Sequence, residues 1–315
     1  HNSLLIYDPE ENFGAEGYGN DGGQRLPNRR GELATLQSLL KDGYRTGRIL
    51  AHGFGPDPLA PEYAYLKGDI AQAYSSKAES VQRSFVFLNL GQENAPAALV
   101  VRDTVVAANP AHGKYWLLHS IEEPRIGAGG VIEIDRAENG QSGRLIAVAL
   151  EPAADNREIR KIGGPGKEFW VFGQNYPNEP ETDRQKRSQE PGAWRIEISP
   201  RQPAKEDGYL VAMLITDRER PAALPIETLA APGFLGCRIG DRAVFFSTGE
   251  PAARSEARFE LPPGVNKALA LDLAPGQWRI EREGEEAADA SVSLESGALY
   301  IDCSPGAVAM RRIGP

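Results

Sequence analysis

Cysteine is nearly absent from this chain, with only Cys237 and Cys303 in 315 residues. Two are too few for a disulfide scaffold or a cysteine zinc site, while one bond between them and two buried thiols are both open readings. Histidine is scarce too. His1, His52, His112 and His119 share no short ligand spacing, which argues against a zinc site built wholly from sequence neighbours. No apolar run approaches the roughly 20 residues of a membrane helix, so no membrane is expected as a partner. Positive charge is in deficit, 35 Lys and Arg against 44 Asp and Glu, a net charge of −9. Such a balance argues against a general nucleic-acid binder, so no nucleic acid is expected as a partner. It still allows an anionic substrate, because a local positive cleft can sit on an acidic protein. The chain also lacks GxSxG, GxxxxGK[ST] and HExxH, and with them the nucleophile elbow, the phosphate loop and the zinc-protease helix.

Glycine and proline are plentiful, 34 and 24 residues, without period or low-complexity blocks. Spread between short apolar runs, they punctuate many turns and predict a mainly β chain. Strands are expected at Leu4–Tyr7, Arg48–His52, Ser84–Leu90, Ala97–Val101, Lys114–Ser120, Gly130–Asp135, Gly143–Leu150, Glu168–Phe172, Trp194–Ile198 and Tyr209–Thr216. Glu138-Asn-Gly140 reads as a hairpin turn. One helical window stands out, Glu32–Asp42, with Leu33, Leu36, Leu39 and Leu40 at helical spacing and Gly43 just past its end. Asn12–Arg30 and Tyr176–Pro191 read as loops. Pro and charges at Asp217–Leu224 mark a seam. A second set of strands follows it, at Phe234–Ile239, Ala243–Thr248, Ala257–Leu261, Ala268–Leu273, Gln277–Arg282, Ser291–Leu294, Ala298–Asp302 and Ala307–Arg311. The expected architecture is a two-layered antiparallel β-sheet domain over 1–217 and a smaller β-sandwich over 218–315.

Few residues invite chemistry. Gly163-Gly-Pro-Gly166 leads into a strand and reads as a plain turn. Asn20-Asp-Gly-Gly-Gln-Arg25 carries amides, a carboxylate and a guanidinium around a double glycine. That set suits either a polar cleft rim for sugar hydroxyls and acidic groups or a loop tied by its own side chains. Asn20, Gln24 and Arg25 are therefore candidate substrate contacts. His52, ahead of Gly53-Phe-Gly-Pro-Asp57, is a fourth. His119 reads as a packed strand histidine and His112 as an exposed turn residue. Tyr63, Tyr65 and Tyr74 either stack on sugar rings or pack with their hydroxyls satisfied.

Several ordered strings resemble the heparinase II/III-like family of bacterial polysaccharide lyases. They are His1-Asn-Ser-Leu-Leu, Asn20-Asp-Gly-Gly-Gln-Arg25, His52-Gly-Phe-Gly-Pro-Asp57, Tyr65-Leu-Lys-Gly-Asp-Ile70 and Arg83-Ser-Phe-Val-Phe-Leu-Asn-Leu90. Trp116-Leu-Leu-His-Ser-Ile121, Phe169-Trp-Val-Phe-Gly173 and Ala274-Pro-Gly-Gln-Trp278 carry the likeness through the chain. The resemblance implies β-elimination at a hexuronate of heparin or heparan sulfate, that is, a glycosaminoglycan or other acidic polysaccharide as partner. It implies a central β domain and a C-terminal β domain that follow an N-terminal helical toroid, a homodimer, and a periplasmic or secreted setting. The family's catalytic Tyr and His motifs match nothing here, so no catalytic residue is expected in this chain. His1 heads the string whose histidine binds zinc in the family, its partner ligands being expected upstream. Because the chain opens inside a strand-like run, it is expected to be a piece of a longer protein, inactive by itself. A lyase for alginate or chondroitin and a non-catalytic carbohydrate-binding β module are the alternatives.

Overall fold

The computed structural model describes residues 2–11, 20–25, 35–41, 44–175, 192–249 and 254–314. His1, the loop readings at 12–19, 26–30 and 176–191, and residues 32–34 and 42 of the expected helix lie outside them. The first strands are β1 (Leu4–Tyr7), β2 (Arg48–Gly55), β3 (Tyr63–Asp69), β4 (Ala78–Gln92), β5 (Ala95–Ala107), β6 (Gly113–Ser120) and β7 (Arg125–Ile126). Next come β8 (Ile132–Glu138), β9 (Gln141–Glu151), β10 (Arg157–Gly163), β11 (Trp170–Val171), β12 (Gln174–Asn175), β13 (Trp194–Pro200) and β14 (Glu206–Thr216). Asp217–Leu224 then runs to β15 (Ile226–Ala231), β16 (Phe234–Ile239), β17 (Arg242–Ser247), β18 (Glu256–Leu261) and β19 (Lys267–Leu271). The last four are β20 (Gly276–Arg282), β21 (Ala288–Val292), β22 (Leu299–Asp302) and β23 (Gly306–Gly314).

The protein is mainly β, and its sheets stack as layers. A four-stranded sheet, β1-β6-β13-β10, covers one face of the eight-stranded sheet β2-β3-β4-β5-β14-β9-β8-β7. Val101, Val105 and Val211 meet Leu4, Trp116 and Ile196 between them. On its other face the eight-stranded sheet presents Tyr65, Val86, Val100 and Leu210 to the sheet β15-β16-β17-β19-β22, which answers with Val244, Phe246 and Leu271. A third core, around Phe245, Phe259 and Trp278, joins that sheet to β18-β23-β20-β21. Pairing is antiparallel as expected, with β17 and β19 a parallel exception. The sequence of a strand reflects its layer. Central β5 and β17 are largely buried on both faces and read as near-continuous apolar runs, whereas outer β18 alternates strictly between exposed and buried residues. Each fully buried Val, Leu or Phe contributes on the order of 1.5–3 kcal/mol.

Tyr63–Asp69, Arg157–Gly163 and Ile226–Ala231 are strands that the sequence does not announce, because polar residues and Gly68 break their apolar pattern. Glu168–Phe172 forms only the two-residue strand β11, since Phe172 turns back at positive φ into β12. The expected helix shrinks to α1 (Leu36–Leu39) among the described residues, with Leu36 and Leu40 facing solvent instead of a core. The Asn139-Gly140 turn is as expected, both residues holding positive φ between β8 and β9. Cys237 and Cys303 are free thiols buried in different cores.

Candidate functional site

The first sheet turns one side of β6 and β13 inward and the other side outward. Trp116, Leu118, Ile196 and Ile198 enter the core. Leu117 and His119 therefore point outward, paired with Glu197 and Arg195 across the strands. The β11–β12 hairpin lies over this outer face. Arg195 donates to the Trp170 carbonyl at 2.7 Å, and Phe172 packs on Tyr7 with ring centroids 4.1 Å apart. Residues 20–25 run along the edge strand β1, where the Ile6 amide donates to the Gly22 carbonyl at 2.8 Å. Gly22 has φ +69°, and a Cβ there would lie 3.2 Å from both the Ile6 oxygen and the Phe172 ring, so this close approach requires glycine. Together these segments enclose an open cleft of about 540 Å³ bordered by Ser3, Asp21, Gln24, His119, Glu168 and Arg195.

Its charges are largely committed. Arg195 donates twice to Glu197 Oε1, at 3.0 and 2.6 Å, and both residues are buried. Arg195 is the one cation among the described lining residues, which also include the carboxylates Asp21 and Glu168, so the cleft carries little net positive charge for a polyanion. The His119 amide donates to Asn2 Oδ1 at 2.6 Å, and Nδ1 lies 3.2 Å from that same oxygen. An oxygen accepting both contacts makes Nδ1 the protonated ring nitrogen. Burial, the largest cause, together with the Arg195 guanidinium, pushes the imidazole pKa down to about 4. His119 is thus neutral at pH 7, and too weak a base to abstract a carbon-bound proton efficiently there.

The structure places the expected site residues unevenly. Gln24 borders the cleft and donates to Ser3 Oγ at 3.3 Å. Asn20 donates to the Asp8 carbonyl at 2.5 Å, and Arg25 pairs with Asp21 at 2.7 Å, so both tie the segment to itself and to the β1 end. His52 is exposed on edge strand β2, its amide bonded to the Glu295 carbonyl at 2.9 Å, and does not border this cleft. His1 lies outside the described residues. Among the described residues no group of three or more His, Cys, Asp or Glu is placed to hold a metal, so they do not by themselves fit zinc.

His112 corrects the expectation of an exposed turn. It is buried, with Nε2 3.6 Å from the Asp8 carboxylate, because the turn after β5 folds back over residues 8 and 77. Tyr63, Tyr65 and Tyr74 take the packing reading. All three are buried; Tyr65 donates to Asp272 at 3.1 Å and Tyr74 to the Leu4 carbonyl at 2.9 Å. Sequence reasoning does not single out Arg195 or Glu168. The available signal for Arg195 is two charges at i and i+2 in Trp194-Arg-Ile-Glu-Ile198, on the face opposite the isoleucines. Glu168 carries none.

Residues 228–312 match the family model described as the heparinase II C-terminal domain, which covers most of β15 through most of β23. The resemblance read in the sequence thus recurs, independently, in the last two sheets. No curated protein matches the chain. Among solved structures, the chain is similar to a mutant of the heparan sulfate lyase HepC from Pedobacter heparinus, at 12% identity and a TM-score of 0.41, over 64% of this chain and 27% of that one. The unmutated HepC gives 12% identity and a TM-score of 0.40, over 62% and 26% of the two chains. A heparinase III, the BT4657 gene product, gives 9% identity and 0.35, over 61% and 26%. The chain therefore spans about a quarter of the length of these solved structures.

Proposed function

We propose that this chain is the β-sheet portion, dividing at 217/218, of a polysaccharide lyase that cleaves heparin or heparan sulfate by β-elimination at a hexuronate. The match of residues 228–312 to the heparinase II C-terminal domain carries this reading, with the ordered strings of the first 217 residues beside it. In β-elimination a base takes the C5 proton, the uronate carboxylate is neutralised, and an acid protonates the departing 4-linked oxygen. The cleft fits the part of one wall. Gln24 can bond hydroxyls, while the committed Arg195 and weakly basic His119 support placing the proton-transfer groups outside this chain.

In this reading the longer polypeptide adds a helical toroid, forms a homodimer and works in the periplasm or outside the cell. His1 there contributes one zinc ligand, with the others from preceding sequence. Alginate and chondroitin are the alternative substrates. An assay of the chain alone and of the longer polypeptide on heparan sulfate, heparin and alginate tests the reading. The expected result is ultraviolet-absorbing unsaturated product from the longer polypeptide on the first two substrates, and none from the chain alone. Unsaturated product from the chain alone would move the catalytic groups into these 315 residues.

A further inference from the structure

A second cleft, of about 530 Å³, opens on the opposite side of the eight-stranded sheet, where the two pairs of sheets meet. Its floor is set by strand register. Lys67, Ser84, Arg102, Leu210 and Glu151 form one cross-strand row, on β3, β4, β5, β14 and β9. Gln82, Thr104 and Gly208 form the next, and Ser80, Val106 and Glu206 the third. The same faces of β4 and β5 carry Val86, Leu88, Ala98 and Val100 a few residues away, in the core against the neighbouring sheet. The face therefore switches from apolar to polar where that sheet stops covering it. Ser247, Thr248 and Asp272 supply the wall.

The polar groups are held in place. Asp272, buried and at φ +60°, accepts from Lys67 at 2.8 Å and from Tyr65 at 3.1 Å. Arg102 donates to the Ser247 carbonyl at 3.0 Å, while its Nε is buried without a partner among the described residues. The Glu151 carboxyl group lies over Gly208, 2.6 Å from where a Cβ would stand. Two cations thus face three carboxylates, Asp272, Glu151 and Glu206. An anion would enter an already compensated field. Burial raises the Glu151 pKa, against the pull of the Arg102 guanidinium. What remains to recognise a ligand is a set of hydroxyls and one amide, each able to donate and accept, of which Gln82 and Thr104 are direct cross-strand neighbours about 4.8 Å apart. That spacing is on the scale of hydroxyls across a sugar ring, and the volume lies within the range of small-ligand sites.

We propose that this second cleft binds an uncharged saccharide unit through Gln82, Thr104, Ser80 and Thr248, at a site two sheets away from the outer cleft. The proposal does not rest on the lyase reading. Saturation-transfer NMR on the 315-residue chain with N-acetylglucosamine, cellobiose and glucuronate tests it. Both neutral sugars should show transfer, and glucuronate should bind at least about tenfold more weakly. The Gln82→Leu/Thr104→Val double variant should weaken neutral-sugar binding about tenfold with the circular dichroism spectrum unchanged. Should that pair not fold, Ser80→Ala at the half-buried end should still show weaker binding. No transfer from either neutral sugar, glucuronate binding as tightly as they do, or unchanged binding in the folded variants would overturn the proposal. None of these readings depends on whether unsaturated uronate is formed.

Discussion

The most demanding electrostatics in the molecule sit at single buried residues. Asp103 is fully buried and accepts from Arg83 at 2.6 and 2.9 Å, while Arg83 also donates to the Asn2 carbonyl at 2.7 Å. Removing one member strands the other charge away from water. Asp103→Ala should cost about 3–5 kcal/mol in urea unfolding, and a loss under about 1 kcal/mol would contradict the pairing. His119 gives a pH signature. Its folded pKa of about 4 lies below the unfolded value of about 6.5, so the unfolded chain binds more protons between those values. Its contribution to stability is complete above about pH 6.5 and is lost as pH falls toward the folded value. An NMR titration of the His119 ring should show a midpoint near the folded value. A midpoint near the unperturbed value of about 6.5 would mean that the imidazole is solvated.

At the scale of elements, close packing makes some strands intolerant of a single methyl. Gly236 in β16 faces Phe245 of β17, and a Cβ at 236 would overlap the Val244 carbonyl. Gly236→Ala should therefore lower stability by about 1–3 kcal/mol on chemical denaturation, and an unchanged midpoint would contradict the approach. Elements are legible in the sequence where packing leaves a pattern. Leu4–Tyr7 and Phe234–Ile239 can be read to the residue, because apolar side chains fill strands bounded by turn residues. Tyr63–Asp69 is not legible, because its core-facing Tyr65 and Lys67 serve a polar contact with Asp272, more than 200 positions later. The outer cleft shows the same limit. Gln24 is readable from a local string, whereas Arg195 and Glu168 reach the cleft only through the pairing of β13 with β6 and the fold of the hairpin.

At the scale of the whole molecule, the middle core couples the sheets before and after Asp217–Leu224. Phe246 and Val244 come from one side and Val86, Val100 and Leu210 from the other. Glu62, just before β3, adds polar ties, pairing with Arg242 at 3.3 Å and accepting from Tyr300 at 2.8 Å. Such sharing predicts one cooperative unfolding transition, with Phe246→Ala lowering stability by about 3–5 kcal/mol without splitting it. Two resolved transitions in calorimetry would show that the two sets of sheets unfold separately.

The proposed lyase chemistry is tested most directly by the mass of the products that the longer polypeptide releases from heparan sulfate. Elimination leaves each new non-reducing end one water lighter than hydrolysis would, because a C4–C5 double bond forms and no water is added. Products lighter by one water are the predicted result. Hydrolytic masses, or a polymer left intact by the folded polypeptide, would contradict the account.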